Sequence, residues 1–280
     1  MTRKSLHLVI NPKSGAFVRG LDADDLRRQI AEAGWQIVGE SDPVAGDFDI
    51  SGDADIVAIA GGDGTVMHVL DTLAGRSAPP PALVLPCGTA NLLARRLHGS
   101  IDLDRVLAEG HDADVTELAL GSVNGRPFAV AAAIGVSPAL VKVREDLRGK
   151  GWSGRMGRVA AHVAAGWRSF FRGRLYVALG DDRPPRRVTA LYVTCPEGLD
   201  ETALGVFAGR LRSVADLAGG LAKAAIPVLP DSNAVWRVDV PRLQVMSRRD
   251  VSVILDGEPV RLESPLTLEL GAVKVKVLTT

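Results

Sequence analysis

Asp55-Ile56-Val57-Ala58-Ile59-Ala60-Gly61-Gly62-Asp63-Gly64-Thr65-Val66-Met67-His68-Val69-Leu70 is the stretch on which the fold turns. Its first part, Asp55 to Ala60, is a short apolar run rich in β-branched residues, the pattern of a strand buried on both faces. From Val66 to Ala74 the apolar residues recur at helical spacing. Between strand and helix, Gly61-Gly62-Asp63-Gly64-Thr65 has a physical use for its glycines. Without Cβ atoms the backbone can turn sharply and approach phosphate oxygens, while the start of the helix offers unpaired N–H groups and positive dipole. Asp63 among phosphates would bind Mg²⁺ or orient a γ-phosphate. The same residues also fit a tight turn with Asp63 as a helix N-cap.

On either side the rhythm persists through about residue 118. Strand patterns at Leu6–Ile10, Gln36–Val38 and Ala82–Leu85 alternate with helix patterns near Asp22–Ala33, Ala90–Leu97 and Leu103–Glu109. Such alternation implies crossovers and a mostly parallel sheet, with ligands at the carboxyl ends of its strands. From Ala119 the rhythm changes to alternating strands at Arg126–Ala133, Arg174–Leu179, Arg187–Thr194, Leu243–Met246, Val251–Leu255, Leu266–Leu270 and Val273–Leu278. The expected fold class is α/β plus β: an α/β nucleotide-binding domain over 1–118, with 275–280 a candidate to complete it, then an antiparallel β-sandwich over 119–274. Helical insertions are expected near Arg155–Phe171 and Arg210–Ala224.

Two more loops fall at strand ends of the first domain. Asn11-Pro12-Lys13-Ser14-Gly15 brings a glycine and side-chain donors, although Asn-Pro and Ser-Gly are also plain turn dipeptides. Pro86-Cys87-Gly88-Thr89-Ala90-Asn91 presents a hydroxyl and an amide before a helix. Three such loops at three parallel-strand ends point to one crevice. In the second domain, Asp256-Gly257-Glu258 reads first as a hairpin turn, Asp-Gly being a common hairpin pair. It also supplies carboxylates of the kind that could take a proton from an alcohol.

At these residues the chain resembles the diacylglycerol kinase catalytic-domain family, which includes sphingosine and ceramide kinases. The match is Asn-Pro-x-Ser-Gly, Gly-Gly-Asp-Gly-Thr and Pro-x-Gly-Thr-x-Asn in order over about residues 5 to 98, then Asp256-Gly257-Glu258. The resemblance implies ATP and Mg²⁺ as cofactors, held between the two domains, and transfer of the γ-phosphoryl group to the hydroxyl of a lipid alcohol. It places Asn11, Pro12, Lys13, Ser14, Gly15, Gly61, Gly62, Asp63, Gly64, Thr65, Gly88, Thr89 and Asn91 at the nucleotide. Asp63 is the candidate metal residue. Asp63, Asp256 and Glu258 are the catalytic candidates, Glu258 as proton acceptor and Asp256 as its orienting partner, or the two with roles exchanged. NAD kinases share Gly-Gly-Asp-Gly-Thr, but their later Asn-Glu pair is absent here.

Some positions depart from the family pattern. Val66-Met67-His68 replaces the frequent Leu-Asn-Glu, and Glu40 to Asp55 is too short and broken for the helix usual there. The domain-junction aspartate is replaced by Ala119, with Asp114 and Glu117 as candidate substitutes, which leaves open a nucleotide-binding regulator with weakened catalysis. The family's later acidic loop is reduced to Pro196-Glu197-Gly198-Leu199-Asp200-Glu201.

Composition closes off other classes. The chain has 280 residues, 46% of them hydrophobic, and 33 Lys and Arg balance 33 Asp and Glu, so no global basic field exists for nucleic acid. Cys87 and Cys195 form no Cys-x-x-Cys and no disulfide framework, and the five histidines have no metal-ligand spacing. A cytoplasmic location is expected. The acid-free segment Leu147 to Gly180 pairs an apolar stripe (Met156, Val159, Val163, Trp167, Phe170) with Arg148, Arg155, Arg158, Arg168, Arg172 and Arg174. It reads as a packed helix with a solvated basic face, or with Trp152 as a peripheral contact to anionic membrane at the inner surface. A homodimer stays open.

Overall fold

The computed structural model describes residues 4–43, 49–50, 53–135, 174–180, 184–196, 201–209 and 235–280. They form two compact units, one mainly Met1–Leu120 with Val273–Thr280, the other Gly121–Pro196 with Glu201–Ala272.

The first unit carries strands β1 (Ser5–Ile10), β2 (Gln36–Ser41), β3 (Ile56–Ala60), β4 (Ala82–Leu85) and the start of β5 (Asp114–Val123). Its helices are α1 (Gly15–Val18), α2 (Ala23–Glu32), α3 (Asp63–Ala74), α4 (Leu92–His98) and α5 (Leu103–Glu109). The parallel order is β2-β1-β3-β4, and the end of the last strand joins β4 through Val277 opposite Ala82. Strands β1, β3 and β4 are buried almost throughout, as uninterrupted apolar runs require when helices cover both faces. Leu6, Leu8, Ala58, Ala60, Leu83 and Leu85 pack with Leu26 and Ile30 of α2, with Val106 and Leu107 of α5, and with Trp35. The Trp35 ring lies flat on His111 at 3.9 Å between centroids and donates its Nε1–H to Leu107 O at 2.9 Å. Asp22 and Asp102 cap α2 and α5, accepting from Asp24 N–H and Arg105 N–H. β2 runs three residues beyond Val38 because an edge strand needs no apolar side chain on both faces: Gly39, Glu40 and Ser41 go on pairing with β1.

The second unit is built from the end of β5, then β6 (Arg126–Phe128), β7 (Ala131–Ile134), β8 (Leu175–Ala178), β9 (Arg186–Val188), β10 (Ala190–Thr194), β11 (Leu204–Gly209), β12 (Val235–Val240), β13 (Arg242–Met246), β14 (Val251–Leu255), β15 (Glu258–Leu262) and the start of β16 (Leu266–Thr279). One antiparallel sheet runs β12-β11-β10-β7-β14-β15, and β16, β13, β8 and β9 pair in the other. Leu175, Val177, Leu243, Val245 and Leu268 of the second sheet share a core with Leu191, Val193, Val206 and Val253 of the first, the interior of a β-sandwich.

Three strand patterns from the sequence are corrected. Arg126–Ala133 is two strands, parted at Ala129-Val130, whose amides are bound by a side chain rather than a neighbouring strand. Arg187–Thr194 is also two, because the chain changes sheets at Thr189: β9 pairs with β8, β10 with β11 and β7. Conversely, Leu266–Leu270 and Val273–Leu278 are one strand that passes through Gly271, at positive φ. The expected helical insertions near 155–171 and 210–224 lie outside the described residues.

Candidate functional site

Three parallel strands of the first unit end level. Ile10 is paired with Ala60 and Ala60 with Leu85, so Asn11, Gly61 and Pro86 leave the sheet side by side. The three loops they begin are tied to one another by hydrogen bonds. Asn11 Nδ2 donates to Thr65 Oγ1 (2.8 Å), while its Oδ1 accepts from Lys13 N–H (3.0 Å) and turns the loop back. The buried Ser14 hydroxyl donates to Cys87 O (2.9 Å), which also accepts from Ala16 N–H (3.1 Å). Burial pushes the Cys87 thiol up to about 12, so it is a packed, unreactive side chain.

Gly62, not Asp63, is the N-cap of α3, and Asp63 is its first residue. The glycine loop is therefore already the first helical turn, a correction to the turn with Asp63 as cap. Glycine has no side chain to return to the helix start, and the N–H groups of Asp63, Gly64 and Thr65 find no acceptor among the described residues. A Cβ on Gly62 would have nothing within 4 Å, so this face of the turn is open. The Asp63 side chain reaches across instead: Oδ1 accepts from Leu92 N–H (3.0 Å), the first residue of α4. Asp63 thus joins the starts of two helices and keeps its second oxygen.

Asn91, the N-cap of α4, stands at φ 50 and does not cap it. Its amide folds back into its own loop, Oδ1 accepting from Gly88 N–H (2.6 Å) and Nδ2 donating to Pro86 O (3.1 Å). Gly88 and Gly15 are required by close approach. A Cβ on Gly88 would stand 3.0 Å from Gly62 Cα, and one on Gly15 would stand 2.1 Å from Thr89 Oγ1. The side chains of Asn11 and Ser14 therefore tie the loops to one another, and that of Asn91 shapes its own loop. What the loops leave outward is the Lys13 ammonium, the Thr89 hydroxyl, the Gly62 backbone and the α3 amides. Sequence reading missed Arg19, whose NH2 donates to Gly88 O at 3.0 Å.

Asp256 and Glu258 lie in the second unit, on the hairpin between β14 and β15, where Leu255 faces Glu258. Asp256 and Gly257 both have positive φ, 47° and 100°, as a two-residue hairpin whose twist matches its strands demands. The Asp256 carboxylate accepts from Ala129 N–H (2.7 Å), Val130 N–H (2.9 Å) and Ala131 N–H (2.8 Å), and Glu258 is exposed. Of the candidates to replace the missing junction aspartate, Glu117 is paired with Lys274 Nζ at 2.8 Å, and Asp114 is exposed on β5. The basic segment 148–173, with Trp152, and the reduced acidic loop at 197–200 lie outside the described residues. Arg174 is exposed. Among the described residues no group of three or more His, Cys, Asp or Glu could hold a metal ion, and no helix is long and apolar enough to cross a membrane.

Comparison with known proteins falls on the same loops. Residues 5–123 match the family model described as the diacylglycerol kinase catalytic domain. Diacylglycerol kinases of Staphylococcus aureus strains JH9 and Newman are each 30% identical over 145 residues, 48% of this chain and 44% of theirs. The match thus spans less than half the length of these relatives. A diacylglycerol kinase structure from Bacillus anthracis str. Sterne superposes with a TM-score of 0.68 at 16% identity, covering 99% of this chain and 97% of that one. A further structure from that strain reaches a TM-score of 0.71 at 18% identity over the same shares. At such identities the likeness establishes the fold, an α/β unit joined to an antiparallel sandwich.

Proposed function

We infer that this chain, whose residues 5–123 match the diacylglycerol kinase catalytic-domain model, is a lipid kinase that transfers the γ-phosphoryl group of ATP to the hydroxyl of a lipid alcohol. The observation that carries this reading is the level ending of β1, β3 and β4, with three loops tied together around the free amides of the α3 start. Free amides at the start of a twelve-residue helix bind phosphate oxygens by hydrogen bonding and by the helix dipole. The open face of Gly62 lets the phosphate chain lie against the backbone, and Lys13 adds a positive charge beside it.

Mg²⁺, when bound with the nucleotide, supplies charge neutralisation on the phosphates. Asp63 fits it, because this cation commonly takes one or two carboxylates and completes its shell with phosphate and water. The bond from Leu92 N–H fixes one Asp63 oxygen and so orients the other. In the second unit, Glu258 is the proton acceptor for the lipid hydroxyl. Asp256 serves it indirectly: its bonds to three amides fix the turn on which Glu258 stands. The acceptor is an alcohol of the diacylglycerol or sphingoid kind.

The test is incubation of the full chain with γ-labelled ATP, Mg²⁺ and vesicles carrying diacylglycerol, sphingosine or ceramide, with NAD in a parallel reaction. Label in a lipid product is the expected result. Label in NAD alone would replace the reading with an NAD kinase, and no product with any acceptor would leave a nucleotide-binding regulator.

A further inference from the structure

We propose that Arg19 is a phosphate-binding residue of the nucleotide site, a double-ended donor that fixes the third loop with one nitrogen and receives the phosphate chain with another. This rests on the nucleotide reading above. Arg19 ends the short helix α1 and is exposed. Its NH2 donates to Gly88 O at 3.0 Å, which holds the guanidinium against the loop instead of leaving it to range through solvent.

The other end of the group stands over Gly15. The position that a Cβ on Gly15 would occupy is 3.1 Å from Arg19 NH1, 2.1 Å from Thr89 Oγ1 and 3.1 Å from Thr89 N. The Thr89 hydroxyl therefore already fills the space over Gly15, and a guanidinium nitrogen and a backbone amide lie beside it, three donors gathered at one place. Neither the Thr89 hydroxyl nor the Thr89 N–H donates to an acceptor among the described residues, and Arg19 forms no ion pair there. Convergent donors without an acceptor, one of them charged, are a site for an anion.

A guanidinium suits this double task better than an ammonium. Its five N–H groups lie in a rigid planar fork, so a bond to a carbonyl on one side leaves further donors already oriented on the other. The charge is permanent and has no carboxylate partner among the described residues, so it favours the most highly charged ligand. The anion is accordingly the β,γ end of a nucleoside triphosphate, and the expected selectivity is for ATP over AMP.

Titration calorimetry of the full-length wild type, Arg19→Ala and Arg19→Gln with ATP and with AMP, alongside thermal melts, tests the proposal. Glutamine keeps a polar side chain but carries no charge, so AMP affinity and melting temperature separate the structural tie from the phosphate contact. The expected result is a loss of about tenfold or more in ATP affinity for both variants, the scale of a charged hydrogen bond. AMP affinity should change by less than about threefold, with melting temperatures unaltered. Wild-type ATP affinity in Arg19→Gln would overturn the proposal and leave Arg19 as a tie for Gly88. Equal losses for ATP and AMP would also overturn it, because loop geometry rather than phosphate charge would then have failed. A wild type that binds no ATP would overturn the nucleotide reading itself, and this proposal with it.

Discussion

Asp63→Asn is expected to lose about a hundredfold in turnover while the chain stays folded and binds ATP, the scale on which a single positioned charge or donor acts in a transition state. The substitution is chosen for what it keeps. Asparagine retains an Oδ1 that can accept from Leu92 N–H, so the tie between the starts of α3 and α4 persists. It removes only the negative charge, which would hold a cation on the phosphates as charge shifts during transfer. Steady-state rates with ATP and the best lipid acceptor, together with melting temperatures, separate the two roles. Activity within about threefold of wild type, roughly 0.7 kcal/mol by the rate relation, would reduce Asp63 to a tie between the starts of α3 and α4.

Asp256→Ala is expected to act on stability, lowering the folding free energy by about 3 kcal/mol or more, since hydrogen bonds to charged groups each contribute about 1.5–3 kcal/mol. Three backbone amides, those of Ala129, Val130 and Ala131, lose their acceptor at once. They lie where β6 gives way to β7, so no neighbouring strand can take them over. Alanine would also have to adopt the left-handed conformation of Asp256 at φ 47, which adds about 1–2 kcal/mol. Urea denaturation followed by fluorescence would measure the shift. A loss below about 1 kcal/mol would mean that water replaces the carboxylate and that the turn needs no anchor.

The two residues differ in how far the sequence exposed them. Asp63 was legible because its setting is local: glycines between a buried strand and a periodic helix have few uses. The level ending of β1, β3 and β4 follows from parallel pairing, so the approach of the three loops was legible too. The partners of their polar side chains were not. Asn91 looked like an amide offered outward, yet its positive φ turns it into its own loop. Arg19 lies four residues beyond the first motif, with nothing local to mark it, and only the approach of Gly88 gives it a role. The turn at Asp256-Gly257 was legible from its dipeptide, but its carboxylate binds amides more than 120 residues earlier, a contact that no spacing encodes.

The sandwich was legible as a class and less so strand by strand. β8, β13 and β14 show alternating or apolar runs, whereas β5 was missed because it opens on exposed Asp114, Val115 and Glu117, two of them charged, before entering the core at Leu118. β15 reads Glu258-Pro259-Val260-Arg261-Leu262, an edge strand in which a proline is tolerated and one outer side is solvent. β11 was obscured by Gly205 and Gly209, which face Asp239 and Ala190 across the sheet. Glycine weakens a strand pattern even where pairing holds it.

The most direct measurement is ATP·Mg²⁺ titrated calorimetrically into the wild type and into Gly62→Val, with a thermal melt of each. A Cβ at Gly62 would meet nothing within 4 Å, and the residue stands at φ −82, so Gly62→Val should fold as the wild type does, yet its side chain fills the open face on which the phosphates are expected to lie. Saturable binding by the wild type and none by a folded Gly62→Val is the predicted outcome. Equal ATP affinity in the two proteins, or no binding by either, would contradict the assignment of these three loops as a nucleotide site.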